Sequence, residues 1–171
     1  TAIENIMSKN LELRVPYGLS VHGEEEIEAV VEVLRTSTQM SKNVLSFEAS
    51  VAKLFAKDFG VMVNSGSSAN LLIFQCLINP MVKKLKPGDE VLIPAICWST
   101  SLWPIIQSGL KVKFVDIDLS TLNIDLNDLK KKISTKTKAL MLVHALGNCA
   151  DMTKLVNICK KNKVILIEDT C

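Results

Sequence analysis

Five small residues in succession, Ser65-Gly66-Ser67-Ser68-Ala69, separate the apolar run Val61-Met62-Val63 from Leu71 and Leu72. Between a strand and a helix, Gly66 permits a tight turn and Ser67 and Ser68 open the helix. The unpaired N–H groups of a helix start, joined by two hydroxyls, make a site for a phosphate dianion. A plain serine N-cap accounts for the same residues equally well. Neither G-x-G-x-x-G nor G-x-x-x-x-G-K-[ST] occurs here, which disfavours a dinucleotide or a nucleoside triphosphate as the phosphate's owner.

Other residues with chemical capacity follow apolar runs in the same way. Trp98, after Val91 to Ile93, is a flat indole that packs in a core or stacks on a planar ring. Asp116 and Asp118 read as a carboxylate pair for metal or acid/base work, or more simply as a turn leading into Ser120 and Thr121. His144 precedes Gly147-Asn148, and a lone histidine is more often a hydrogen-bonded core residue than a catalyst. Asp169, after Val164 to Ile167, would hold a protonated heterocyclic nitrogen by ion pairing, or cap a following helix. A phosphate cup, a flat aromatic and a carboxylate describe a ligand with a phosphate, a planar ring and a ring nitrogen. Pyridoxal 5′-phosphate has all three.

Composition narrows the alternatives. Twenty basic residues against eighteen acidic ones leave a formal charge of +2, far from the concentrated positive field of a nucleic-acid binder. Five cysteines without a C-x-x-C pair, and two histidines, give no zinc pattern, so no metal is expected. The cysteines read as buried, reduced thiols. No apolar run approaches the roughly 20 residues that span a bilayer, so the expectation is a cytoplasmic protein with no membrane partner. Lys83, Lys84 and Lys86 read as a solvated face.

The elements that must position these residues follow from periodicity. Ile27, Val30, Val31 and Leu34 recur at helical spacing behind Glu24 to Glu26, which suit the first turn of a helix. Phe47, Val51, Leu54 and Phe55 predict a second helix ending near Asp58 and Gly60. Five short β-branched runs predict strands: Val61 to Val63, Val91 to Ile93, Val112 to Val115, Ala139 to Val143 and Val164 to Ile167. Helical segments after Asp125 and Asp151 N-caps alternate with them, and Pro87-Gly88-Asp89 marks a turn. The expectation is an α/β fold of three layers, αβα, around a mostly parallel sheet. Ligands of such a sheet gather beyond the carboxyl ends of its strands. The last strand runs into Cys171 without a covering helix, so the chain looks cut.

These segments resemble the DegT/DnrJ/StrS sugar-aminotransferase family, pyridoxal-phosphate enzymes of the aspartate-aminotransferase fold. The resemblance rests on the turn from Asn64 to Ala69, Lys86-Pro87-Gly88-Asp89-Glu90-Val91, Phe114-Val115-Asp116-Ile117-Asp118, Thr121-Leu122-Asn123-Ile124-Asp125, Thr137-Lys138-Ala139 and Ile167-Glu168-Asp169, in this order and spacing. It implies an N-terminal segment with an amphipathic helix at 1–40 and a partial cofactor-binding major domain at 41–171, incomplete at its C-terminus. It implies that Gly66, Ser67 and Ser68 hold the cofactor phosphate, that Trp98 stands where an aromatic stacks on the pyridine ring, and that Asp169 pairs with the pyridinium nitrogen.

The resemblance places the family's Schiff-base lysine beyond Cys171, so no catalytic residue is expected in this chain, which would be inactive alone. The stretches Ser65 to Leu72, Trp98-Ser99-Thr100, Leu146-Gly147-Asn148 and Glu168 to Cys171 look closest to a branch that includes deoxysugar 3-dehydratases, in which a histidine replaces that lysine. Amine transfer to a nucleotide-linked keto-deoxysugar in glycan synthesis is narrowly favoured over dehydration, because most of the family transfers amines. The implied partners are a nucleotide-sugar, an amino donor such as glutamate, and a second copy in a homodimer. A reading of another class is a non-catalytic phosphate-ligand domain or an inactive fragment.

Overall fold

The glutamates at 24–26 do what the sequence predicts. Helix α1 (Glu24–Thr36) starts with Glu26 folding back to accept the Gly23 N–H at 2.6 Å, a bond that holds its carboxyl below the usual carboxylate range. The computed structural model describes residues 19–37 and 42–171. The chain divides into two compact units, Thr1–Ala56 and Lys57–Cys171. In the first, α1 buries none of its residues, and α2 (Lys42–Leu54) buries Ala52 alone. Helix α2 stops a turn before the predicted end, because Ala56 adopts a left-handed φ of 50°.

The second unit carries α3 (Gly66–Ile78), β1 (Glu90–Pro94), α4 (Ser99–Gln107), β2 (Lys111–Val115), α5 (Leu126–Lys132), β3 (Thr137–Val143), α6 (Met152–Asn162) and β4 (Ile165–Asp169). Its four strands are parallel in the order β2-β1-β3-β4, with Val91 beside Val112, Leu92 beside Leu140 and Val143 beside Asp169. Alternation along the strands sorts the side chains to two faces. Val91, Ile93, Ala139, Met141 and Ile167 pack with Phe74 of α3 and Ile105 of α4. Leu92, Val115, Leu140 and Leu142 pack with Leu129 of α5 and Leu155 and Cys159 of α6 on the other. The αβα layering is the expected one, and the chain reverses its direction of travel across the sheet between β1 and β3.

One predicted strand does not form. Residues 61–63 belong to no ladder of this sheet, whose edges are β2 and β4, and Val61 and Met62 stay exposed. β-branched residues favour extended backbone, but a strand exists only where that backbone joins a ladder. The turn before β1 is formed: Gly88 takes a φ of 89° after Pro87, its N–H reaches Gly109 O at 2.8 Å, and Asp89 Oδ2 accepts the Lys86 N–H. Among the described residues no helix is long and apolar enough to cross a membrane.

Candidate functional site

The knot of small residues resolves into a cap and a rim. Ser65 is the N-cap of α3; its Oγ accepts the Ser68 N–H at 3.2 Å and its hydroxyl donates to Ser68 Oγ at 3.2 Å. Ser67 is exposed and Ser68 half-buried in the first turn, which holds no acidic residue. The positive end of a 13-residue helix is therefore open to an anion, with one N–H already used by the cap. Gly66 corrects one expectation: it lies in the helix with no left-handed φ, so no tight turn demands it. A Cβ there would meet no heavy atom within 4 Å, so the helix start presents bare backbone to open space.

Two residues beyond Ser68 on the same helix, Asn70 is buried and needs partners for its amide. It finds them at the far end of the sheet. Its Nδ2 donates to Asp169 Oδ2 at 2.9 Å, and Ser101 Oγ, in the first turn of α4, donates to the same oxygen at 2.8 Å. The second bond of Asn70 goes to the Thr100 carbonyl at 3.5 Å. That carbonyl is available because the residue four positions on is Pro104, which has no N–H to give it. With two acceptors on one nitrogen, the orientation of the Asn70 amide follows from its surroundings.

Asp169 thus has one oxygen held by two side chains, while among the described residues Oδ1 accepts only the Cys171 N–H, at 3.3 Å. Its carbonyl accepts the His144 N–H at 3.1 Å, which ties the tip of β4 to the end of β3. Cys97, half-buried just after β1, has its thiol pushed up, first by burial and then by the negative charge of Asp169. That electrostatic contact sets Cys97 and Asp169 in one neighbourhood.

The remaining sequence candidates fall into place differently. Trp98 is the N-cap residue of α4, 64% exposed. A cavity of about 200 Å³ between α3 and α4 is lined by Ser67, Ser68, Leu71, Thr100, Trp103, Pro104 and Gln107, and so by the other tryptophan. Two larger hollows, of about 410 and 460 Å³, have walls that include none of Ser67, Ser68, Trp98 and Asp169; the second holds Lys83, Lys84 and Lys86.

His144 is buried, and its Nδ1 accepts the Ala150 N–H at 3.2 Å, so the ring proton sits on Nε2 and points to Glu168 Oε2 at 3.2 Å. Both nitrogens are committed to the fold. Asp118 accepts from the Ser120 N–H and hydroxyl, which hold its carboxyl below the usual range, and the Asp116 N–H donates to Asp128 Oδ2. The Asp118 carboxylate thus closes a turn, while that of Asp116 accepts the Ile117 N–H at 2.8 Å. Sequence reasoning missed Asn70 and Ser101; the available signal was an asparagine inside the apolar run Ala69-Asn70-Leu71-Leu72, three residues after Ser67 and so on its helical face.

The aligned likenesses agree with this arrangement of elements. A family model described as the DegT/DnrJ/EryC1/StrS aminotransferase family matches residues 20–171. A GDP-4-keto-6-deoxy-D-mannose 3-dehydratase of Yersinia pseudotuberculosis is 39% identical over 95% of this chain and 42% of its own length. A dTDP-4-dehydro-2,3,6-trideoxy-D-glucose 4-aminotransferase of Saccharopolyspora spinosa is 33% identical over 86% of the chain and 38% of its own length. The solved structure of an E. coli GDP-4-keto-6-deoxy-D-mannose 3-dehydratase with bound hydrated pyridoxal phosphate superposes with a TM-score of 0.86 at 40% identity, covering 92% of this chain and 41% of that one. The chain spans about two fifths of the length of these relatives. On the match over residues 20–171, the chain belongs to the DegT/DnrJ/EryC1/StrS aminotransferase family.

Proposed function

We propose that the chain forms the cofactor-holding part of a pyridoxal-phosphate enzyme that removes the C3 hydroxyl of a nucleotide-linked 4-keto-6-deoxyhexose in glycan synthesis. The observation that carries the reading is Asp169, whose carboxylate is anchored through Oδ2 and leaves Oδ1 with one backbone donor. The residues fit the group. Ser67, Ser68 and the open start of α3 hold its phosphate, the bare backbone at Gly66 admits close approach, and Trp98 offers an exposed flat face for its ring. Asp169 holds a proton on the ring nitrogen by charge pairing. When bound, the group supplies an electron sink for the carbanion formed at the substrate carbon.

Dehydration, the alternative in the sequence reading, gains support from the 39% and 40% identity to 3-dehydratases. Amine transfer at the keto carbon is the second reading, supported by the 4-aminotransferase at 33%. Product analysis separates the two: loss of the C3 hydroxyl marks the first, and an amine in place of the keto oxygen the second. The reading extends to an amino donor such as glutamate and to a cytoplasmic homodimer, which light scattering of the purified protein checks.

The phosphate assignment has a test with opposite signs. Ser67→Glu puts a carboxylate into the first turn of α3, where the macrodipole favours it, so thermal stability holds. The same charge repels a phosphate, and affinity for pyridoxal phosphate measured by tryptophan fluorescence should fall at least about tenfold, with pyridoxal itself unaffected. Unchanged pyridoxal phosphate affinity would overturn the assignment.

A further inference from the structure

The proposed ring-nitrogen contact asks more of Asp169 than a negative charge at the end of β4. A carboxylate can rotate, and on this terminal strand residue the backbone restrains it only through the long bond from the Cys171 N–H to Oδ1, at 3.3 Å. The structure supplies a firmer stop from two helices. Asn70 and Ser101 both donate to Oδ2, at 2.9 and 2.8 Å, and both are buried. Asn70 is itself fixed, because its amide spans from Asp169 to the Thr100 carbonyl that Pro104 leaves without an intrahelical donor. One break in the α4 ladder therefore orients one amide, and that amide orients one carboxylate.

We infer that Asn70 and Ser101 are positioning residues that hold Asp169 with Oδ2 locked and Oδ1 presented to a cationic ring nitrogen. The inference rests on the proposed cofactor reading and deepens it. Both donors are neutral, so they hold the oxygen without bringing an opposite charge to it, as an arginine or lysine at that distance would. The charge stays available to the ligand.

The test uses two probes: pyridoxal phosphate, and its carbocyclic analogue with C–H in place of the ring nitrogen. Both are titrated into the full chain by tryptophan fluorescence, for the unsubstituted protein and for Asn70→Leu and Ser101→Ala. The unsubstituted chain should prefer pyridoxal phosphate by at least about tenfold, the size of a charge-assisted hydrogen bond. Each variant should lose most of that preference while binding the analogue as before. Ser101→Ala removes a single oxygen, so it remains informative if Asn70→Leu does not fold. A merely structural role weakens both ligands together and leaves the preference intact; that result overturns the inference and spares the cofactor reading. Failure of the unsubstituted chain to bind either probe overturns both.

Discussion

Cys97 reports on Asp169, and this gives the site a reading that needs no ligand. The Cys97 thiol is raised first by burial and then by the Asp169 charge, so Asp169→Asn removes the second cause and leaves the first. At mildly alkaline pH more of Cys97 is thiolate in the variant, and its alkylation by iodoacetamide should quicken by roughly twofold. Cys159, raised by burial alone, should not change, and peptide mapping by mass separates the two. If Cys97 and Cys159 keep the same relative rates, the carboxylate does not face Cys97. The same scale shows why His144 is a poor catalyst here: a ring with one nitrogen accepting from Ala150 and the other donating to Glu168 has no site left for substrate.

At the scale of elements, the joint between α5 and β2 carries its own pH dependence. Asp128 accepts the Asp116 N–H at the end of β2 and meets Lys132 at 2.7 Å, and these contacts, the backbone bond first, hold its carboxyl below the usual range. A folded pKa below the unfolded one means that the stabilisation is whole above the unfolded carboxylate range and is lost as pH falls through the folded value. Thermal melts of Asp128→Asn should therefore show a shallower loss of stability on acidification than the unsubstituted chain, the two curves converging at low pH. Parallel curves would show that the tether contributes nothing. Helices α5 and α6 were legible because Asp125 and Asp151 cap them as the sequence predicts, each accepting first-turn N–H groups. The run at 61–63 misleads because its composition specifies extended backbone and cannot specify a place in the sheet.

Across the whole second unit, the sheet is a shared wall between two apolar layers, so its central strands carry the most. Leu140, on β3 between β1 and β4, is fully buried, and Leu140→Ala should cost about 2–5 kcal/mol by denaturant melting, from lost transfer energy and the cavity left behind. A loss under about 1 kcal/mol would mean that the layers are not closely packed there.

The sequence by itself determined the alternation of strand and helix and the three-layer class, because period, capping residues and turn residues act within a few positions; it nominated Ser67, Ser68, Trp98 and Asp169 as candidates. Only the tertiary structure decided which atoms meet: Ser65 rather than Ser67 or Ser68 is the cap, His144 is spent on the fold, and Asn70 reaches Asp169 across 99 residues of chain. Those contacts depend on the order in which strands lie side by side and on a carbonyl freed by Pro104. Neither is a property of any short stretch.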